Sequence, residues 1–148
     1  MCRHTTFKIG GAADIFINIK STEELSFALK SAKNYDIPVF LLGKGSNLLV
    51  SDKGLEGAVI VLSGIDCIEA NGNIVTCGGG ASLRSVCIAA QKVGLSGLEF
   101  AFGIPGTVGG AVFMNAGAYG GEISQVISRA TVMDKNGNVR VVEAKDMA

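Results

Sequence analysis

The stretch Gly103-Ile104-Pro105-Gly106-Thr107-Val108-Gly109-Gly110-Ala111-Val112-Phe113-Met114-Asn115-Ala116-Gly117-Ala118-Tyr119-Gly120-Gly121 decides how the rest of the chain is read. Residues 94–121 hold nine of the 21 glycines, interleaved with Leu, Phe, Val, Ile and Met, whereas a flexible linker would be polar and Gly/Ser-rich. Glycine inside an apolar run marks positive φ or an approach closer than a Cβ allows. Pro105 fixes φ just before Gly106-Thr107, so a short helix over 108–115 is expected, its first N–H groups free and its positive end forward. Such an end suits a phosphate. A tight turn packed on a neighbouring element is the alternative.

A second Gly-rich loop, Gly43-Lys44-Gly45-Ser46-Asn47, follows an apolar run from Val39 to Leu42 and precedes Leu48 to Val50. Its N–H donors and one lysine could wrap a pyrophosphate. It lacks the third glycine of a dinucleotide fingerprint and the Ser/Thr of a Walker loop. The structural alternative is a strand-to-strand turn with a solvated lysine.

The totals narrow the classes. A chain of 148 residues can bury roughly two thirds of its unfolded surface, enough for one domain or two small lobes. Thirteen basic and thirteen acidic residues alternate in sign, so there is no electrostatic footprint for nucleic acid or an anionic membrane. No apolar run approaches the ~18 residues of a membrane span. Cys2, Cys67, Cys77 and Cys87 have no C-x-x-C spacing and only His4 to help them, so no metal site is expected. They read as small buried apolar residues in a cytoplasmic protein.

The local pattern is mixed α and β. Alternation over 14–19 predicts a strand, with Gly10-Gly11 as a bend or close approach before it. Ser21-Thr22-Glu23-Glu24 has capping-box spacing ahead of Leu25, Ala28, Leu29 and Ala32, which predicts a helix ending before Pro38. Apolar runs at 39–42, 48–50 and 58–62 predict buried strands, so residues 1–64 read as a β-β-α-β-β lobe. Residues 65–148 form a second lobe. In it, Asn71-Gly72-Asn73 predicts a type I′ hairpin between 65–70 and 74–77, and Ser82 caps a helix reaching to Gly94. Strands at 130–134 and 139–143 flank Lys135-Asn136-Gly137-Asn138, a hairpin expected to match the first. The ending Lys145-Asp146-Met147-Ala148 reads as an interruption.

Three motifs in order resemble the flavin-binding motifs of the UDP-N-acetylenolpyruvoylglucosamine reductases: residues 43–50, 103–111 and 115–120. The opening 4–11 resembles that family's first segment. More broadly the chain is similar to PCMH/vanillyl-alcohol-oxidase-type flavoproteins. The resemblance implies a two-lobed α+β fold, its second lobe incomplete, holding FAD between the lobes. Gly43, Lys44, Gly45, Ser46 and Asn47 would then hold the pyrophosphate. Pro105, Gly106, Thr107 and Gly110 would approach the phosphates and flavin, while Asn115, Ala116, Gly117, Ala118 and Tyr119 would line the isoalloxazine or ribityl portion. Gly10 and Gly11 are weaker candidates.

The same resemblance implies NADPH as electron donor and a UDP-sugar enolpyruvyl ether as acceptor, in peptidoglycan precursor synthesis, by a protein monomeric when complete. The family's catalytic arginine, serine and glutamate come later in the chain, with the substrate domain, so an N-terminal fragment without turnover is expected. The rivals are another PCMH-type oxidoreductase and a non-catalytic nucleotide-binding module. Glu99 and Glu122 could form an acid/base pair, but a cap and a solvated edge charge are the readings preferred for them.

Overall fold

The computed structural model describes residues 1–147. It is an α+β structure with three parallel strands on one side and three antiparallel hairpins on the other.

Strand β1 (Ala13–Asn18), helix α1 (Thr22–Asn34), β2 (Val39–Leu42) and β3 (Leu55–Val61) make the first unit. Both β1 and β2 pair parallel to β3, which is therefore central. Buried on both faces, β3 carries Ala58, Val59 and Ile60 at 4%, 1% and 0% exposure. Helix α1 begins because the Ser21 hydroxyl accepts the Glu24 N–H (3.2 Å), while the Glu24 carboxylate reaches back to the N–H of Lys20 (2.7 Å). Such a cap contributes about 1 kcal/mol. Leu25 and Leu29 then pack on Ile19, Ile17 and Ile60.

Two expectations for this unit fail. Residues 48–50 form no strand, so the order is β-α-β-β. Leu48 and Val50 are nonetheless apolar for a reason: as a loop they cover Val59 and Leu42 on the opposite face. The run 39–42 is a strand, yet Val39, Phe40 and Leu41 are exposed, because β2 lies at the sheet edge.

The second stretch begins with the hairpin β4 (Ile68–Asn71) and β5 (Ile74–Cys77), joined by Gly72-Asn73. Only Gly72, the first central residue, has positive φ (58°), so the turn follows the II′ pattern and not the expected I′. Helix α2 (Leu83–Lys92) starts at Ser82, whose hydroxyl accepts the Ser85 N–H, and buries Leu83, Val86, Cys87 and Ala90. The short helix α3 (Val108–Phe113) is followed by β6 (Gly117–Ala118) and β7 (Gly121–Glu122), then by β8 (Arg129–Met133) and β9 (Val139–Glu143). The last hairpin differs from the first in having a five-residue loop, closed by the Asp134 carboxylate on the N–H groups of Asn136 and Asn138.

The two parts are tied at a place remote from the Gly-rich loops. Met133 of β8 packs into the cluster of Ile19, Leu25 and Ile60, and the Lys33 ammonium donates to the Asn136 side-chain carbonyl (2.6 Å). The cysteines correct the expectation of uniform burial: Cys87 is buried, Cys77 half-buried, and Cys2 and Cys67 are exposed. Only Cys87 lies on the core face of a helix, where its thiol donates to the Leu98 carbonyl (3.3 Å).

Candidate functional site

The two Gly-rich loops meet. A Cβ built on Gly43 would stand 2.7 Å from Thr107 Oγ1, so only glycine lets the end of β2 lie against the entry to α3. At the other end of the loop the Asn47 amide nitrogen lies 3.5 Å from the Met114 sulfur, at the C-cap of α3. The loop Gly43–Asn47 therefore runs beside α3 from cap to cap.

None of the backbone N–H groups of Gly43, Lys44, Gly45, Ser46 and Asn47 donates to a protein acceptor among the described residues. Gly45 is held at φ 62° with a substituent's position occupied by the backbone of His4 and Thr5, and its carbonyl accepts the Thr6 N–H (3.0 Å). The opening segment thus fixes the loop from behind. A row of unpaired N–H groups with an exposed lysine is an anion cradle. It fits a pyrophosphate.

The entry to α3 is different from what the sequence suggested. Val108 N–H donates to the Ala81 carbonyl (2.9 Å), Gly109 N–H to the Gly79 carbonyl (2.8 Å), and Gly110 N–H to Thr107 Oγ1 (3.3 Å). All three are spent inside the protein, which leaves this helix end the N–H of its cap, Thr107, as the donor without a protein acceptor among the described residues. Pro105 carries no N–H, and Gly106 donates to Ile104 (2.8 Å). The contribution of 105–110 is shape: it seats Thr107 on Gly43.

Gly78-Gly79-Gly80, read from sequence only as the lead into α2, supplies part of that seat. A Cβ on Gly109 would meet the Gly79 carbonyl oxygen at 3.0 Å. Gly10 and Gly11 play the close-approach role, against Val50 and the Asp52 carbonyl.

Residues 115–119 lie beyond the far end of α3. Asn115 has φ 44° and ends the helix in a Schellman arrangement, with its own N–H to Val112 O (3.3 Å) and the Ala116 N–H to Ala111 O (2.8 Å). That is why the helix stops two residues short of the expected 115. Gly117 and Ala118 form β6, and Tyr119 and Gly120 (φ 53° and 84°) make a two-residue turn of I′ pattern. Tyr119 is 98% exposed at the tip, beside an open cleft of about 500 Å³ lined by Phe100, Gly121 and Gln125 among others.

Two exposed apolar side chains that the sequence reading passed over are Phe113 (91%) and Met114 (54%), the second of them beside Asn47 at the loop's end. Apolar residues in a helix too short to bury a full stripe were the available signal. Of the two glutamates Glu122 is the cap, heading the 3-10 turn Ile123–Gln125, whereas Glu99 opens the 3-10 turn Glu99–Ala101 and accepts the Gly97 N–H (2.8 Å).

A family model described as an FAD binding domain matches residues 13–143, from β1 through β9. A UDP-N-acetylenolpyruvoylglucosamine reductase of Clostridium botulinum (strain Hall) is 48% identical over 147 residues, which is 99% of this chain and 48% of that relative. The crystal structure of the corresponding reductase from Thermus caldophilus superimposes with a TM-score of 0.83 at 36% identity, over 97% of this chain and 50% of that one. At the level of fold alone, 6-hydroxy-D-nicotine oxidase of Arthrobacter nicotinovorans superimposes over 92% of this chain and 31% of that one, with a TM-score of 0.73 at 19% identity. The chain spans about half the length of the curated relatives it matches. The fold is thus the α+β PCMH type, and with the family match running across both Gly-rich loops the chain belongs to the FAD binding domain family.

Proposed function

We propose that this chain is the FAD-binding portion of a UDP-N-acetylenolpyruvoylglucosamine reductase. The observation that carries the reading is the run of five N–H groups from Gly43 to Asn47 that have no protein acceptor among the described residues, laid against Thr107 and Met114. The family match and the 48% identity to a reductase of that name support the same assignment.

In this reading Gly43, Lys44, Gly45, Ser46 and Asn47 hold the pyrophosphate through backbone N–H groups and one ammonium. Pro105, Gly106, Thr107 and Gly110 hold the second wall in place by packing. Ala116, Gly117, Ala118 and Tyr119 stand along the ring system, where small residues permit van der Waals contact. The bound flavin would supply two-electron transfer between NADPH and the enolpyruvyl double bond of a UDP-sugar, in peptidoglycan precursor synthesis. Residues 1–64 and 65–148 form the two lobes around it, and the contact of α1 with the β8–β9 loop keeps them in register. In the complete protein, a monomer of the cytoplasm, the substrate is the enolpyruvyl ether of UDP-N-acetylglucosamine. Among the described residues no helix is long and apolar enough to cross a membrane.

Absorbance titration with FAD tests the assignment. Saturable binding that inorganic pyrophosphate weakens is the expected result; a folded chain that leaves the free-flavin spectrum unchanged contradicts it.

A further inference from the structure

The hairpin β6–β7 has two residues per strand and a turn in which Tyr119 holds φ 53°, a conformation unfavourable to a non-glycine residue. So small a hairpin does not hold its own shape in water. Something at its base must.

The base is closed by two contacts. The Ile123 N–H donates to the Ala116 carbonyl (3.1 Å), and the Ser124 N–H donates to Asn115 Oδ1 (2.8 Å). The Ser124 hydroxyl in turn donates to Glu122 Oε1, and Glu122 exchanges capping bonds with Gln125. The Glu122 carboxyl is held below its ordinary range by the Ser124 hydroxyl first and the Asn115 amide second. Asn115 thus spends its side-chain oxygen on the far side of the hairpin.

Asparagine has a reason to stand at this position. At a helix C′ position with φ 44° glycine is the usual occupant, and asparagine the residue next best tolerated. Glycine would serve the backbone better but would leave the Ser124 N–H without its side-chain acceptor.

We propose that Asn115 is a positioning residue: its side chain, tied to Ser124 and through Ser124 to Glu122, sets the angle of the Gly117–Glu122 hairpin against the flavin and does not itself contact the cofactor. The inference rests on the FAD reading above. It places Asn115 in a latch, whereas the family resemblance placed it among the residues lining the ring.

The variant Asn115→Gly separates backbone from latch, because it keeps the helix ending and removes the side-chain bond to Ser124. FAD titrations followed by absorbance and flavin fluorescence compare the wild-type protein with Asn115→Gly and Glu122→Ala. Expected are an unchanged far-ultraviolet circular dichroism spectrum, FAD binding weakened roughly tenfold in Asn115→Gly, and a visible flavin band with less resolved shoulders. Glu122→Ala, which removes the latch from its other side, moves both readouts in the same direction. Wild-type affinity and band shape in Asn115→Gly overturn the latch alone. Absence of FAD binding in the wild-type protein overturns the FAD reading and the latch with it.

Discussion

Thr107 Oγ1 occupies the place where a side chain on Gly43 would begin, 2.7 Å from the built Cβ position, and the same oxygen accepts the Gly110 N–H at 3.3 Å. One hydroxyl therefore caps α3 and gauges the gap between the two loops. The two jobs are coupled through a single atom.

Gly43→Ala should weaken FAD binding by about tenfold, since the new Cβ would stand 2.7 Å from Thr107 Oγ1, an oxygen kept in place by its bond to the Gly110 N–H, and the loop must shift to clear it. Thr107→Ala removes the obstructing oxygen at a loss of about 1 kcal/mol in the cap. In the double variant the effects on FAD affinity should fall short of additive by roughly 1 kcal/mol. Strict additivity in a double-mutant cycle would show that the loops do not communicate through this contact.

Asp134 closes the β8–β9 loop, and its carboxyl is held below the usual carboxylate range, first by the N–H of Asn138 and then by the Asn138 side chain. A depressed folded-state value means the stabilisation is present above the unfolded value and is lost as pH falls through the folded one. The melting temperature of Asp134→Asn should therefore approach that of the wild-type protein as pH drops below about 4, the usual carboxylate range. A difference that stays constant across that window would refute this direction of dependence.

Strand β2 offers an unpaired edge with Phe40 and Leu41 exposed at 39% and 57%. An apolar open edge is a template for association. Leu41→Lys should raise the concentration at which the protein remains monodisperse, with a change in stability within about 0.5 kcal/mol. Light scattering that shows equal association in both proteins would mean the edge is not the sticky surface.

The alternating and helical patterns were legible because each reports burial on one face. Leu25 and Ala32 of α1, and Val86 and Ala90 of α2, lie on the core side as their spacing required. Elsewhere the same signal had a second cause. Leu48 and Val50 are apolar because they roof a sheet face, not because they lie in one. The three exposed residues of β2 looked buried because strand order is invisible to composition.

The two Gly-rich loops lie against each other, but the direction of their donors was not legible in the sequence. A free, positive helix end at Thr107 was a sound expectation in general, but Ala81 and Gly79 reach the first two N–H groups from α2's leader, a contact no local pattern announces. Conversely, the five open N–H groups of Gly43–Asn47 follow from a loop held rigidly by His4 and Thr6, residues close in space and some 40 positions away in sequence. Asn115 was expected to line the ring or ribityl portion, and its side-chain oxygen accepts the Ser124 N–H.

Gly45 sits at the centre of the pyrophosphate assignment, because its φ of 62° and its contact with the His4 backbone leave no room for a side chain. Side-by-side FAD titrations of the wild-type protein and Gly45→Val, each with its circular dichroism spectrum, are the measurement to make. The expected result is saturable binding with a resolved visible flavin band in the wild-type protein and at least a hundredfold weaker binding in the variant, about 2.7 kcal/mol, with secondary structure retained. Equal FAD affinity in the two proteins would contradict the assignment of the pyrophosphate to this loop.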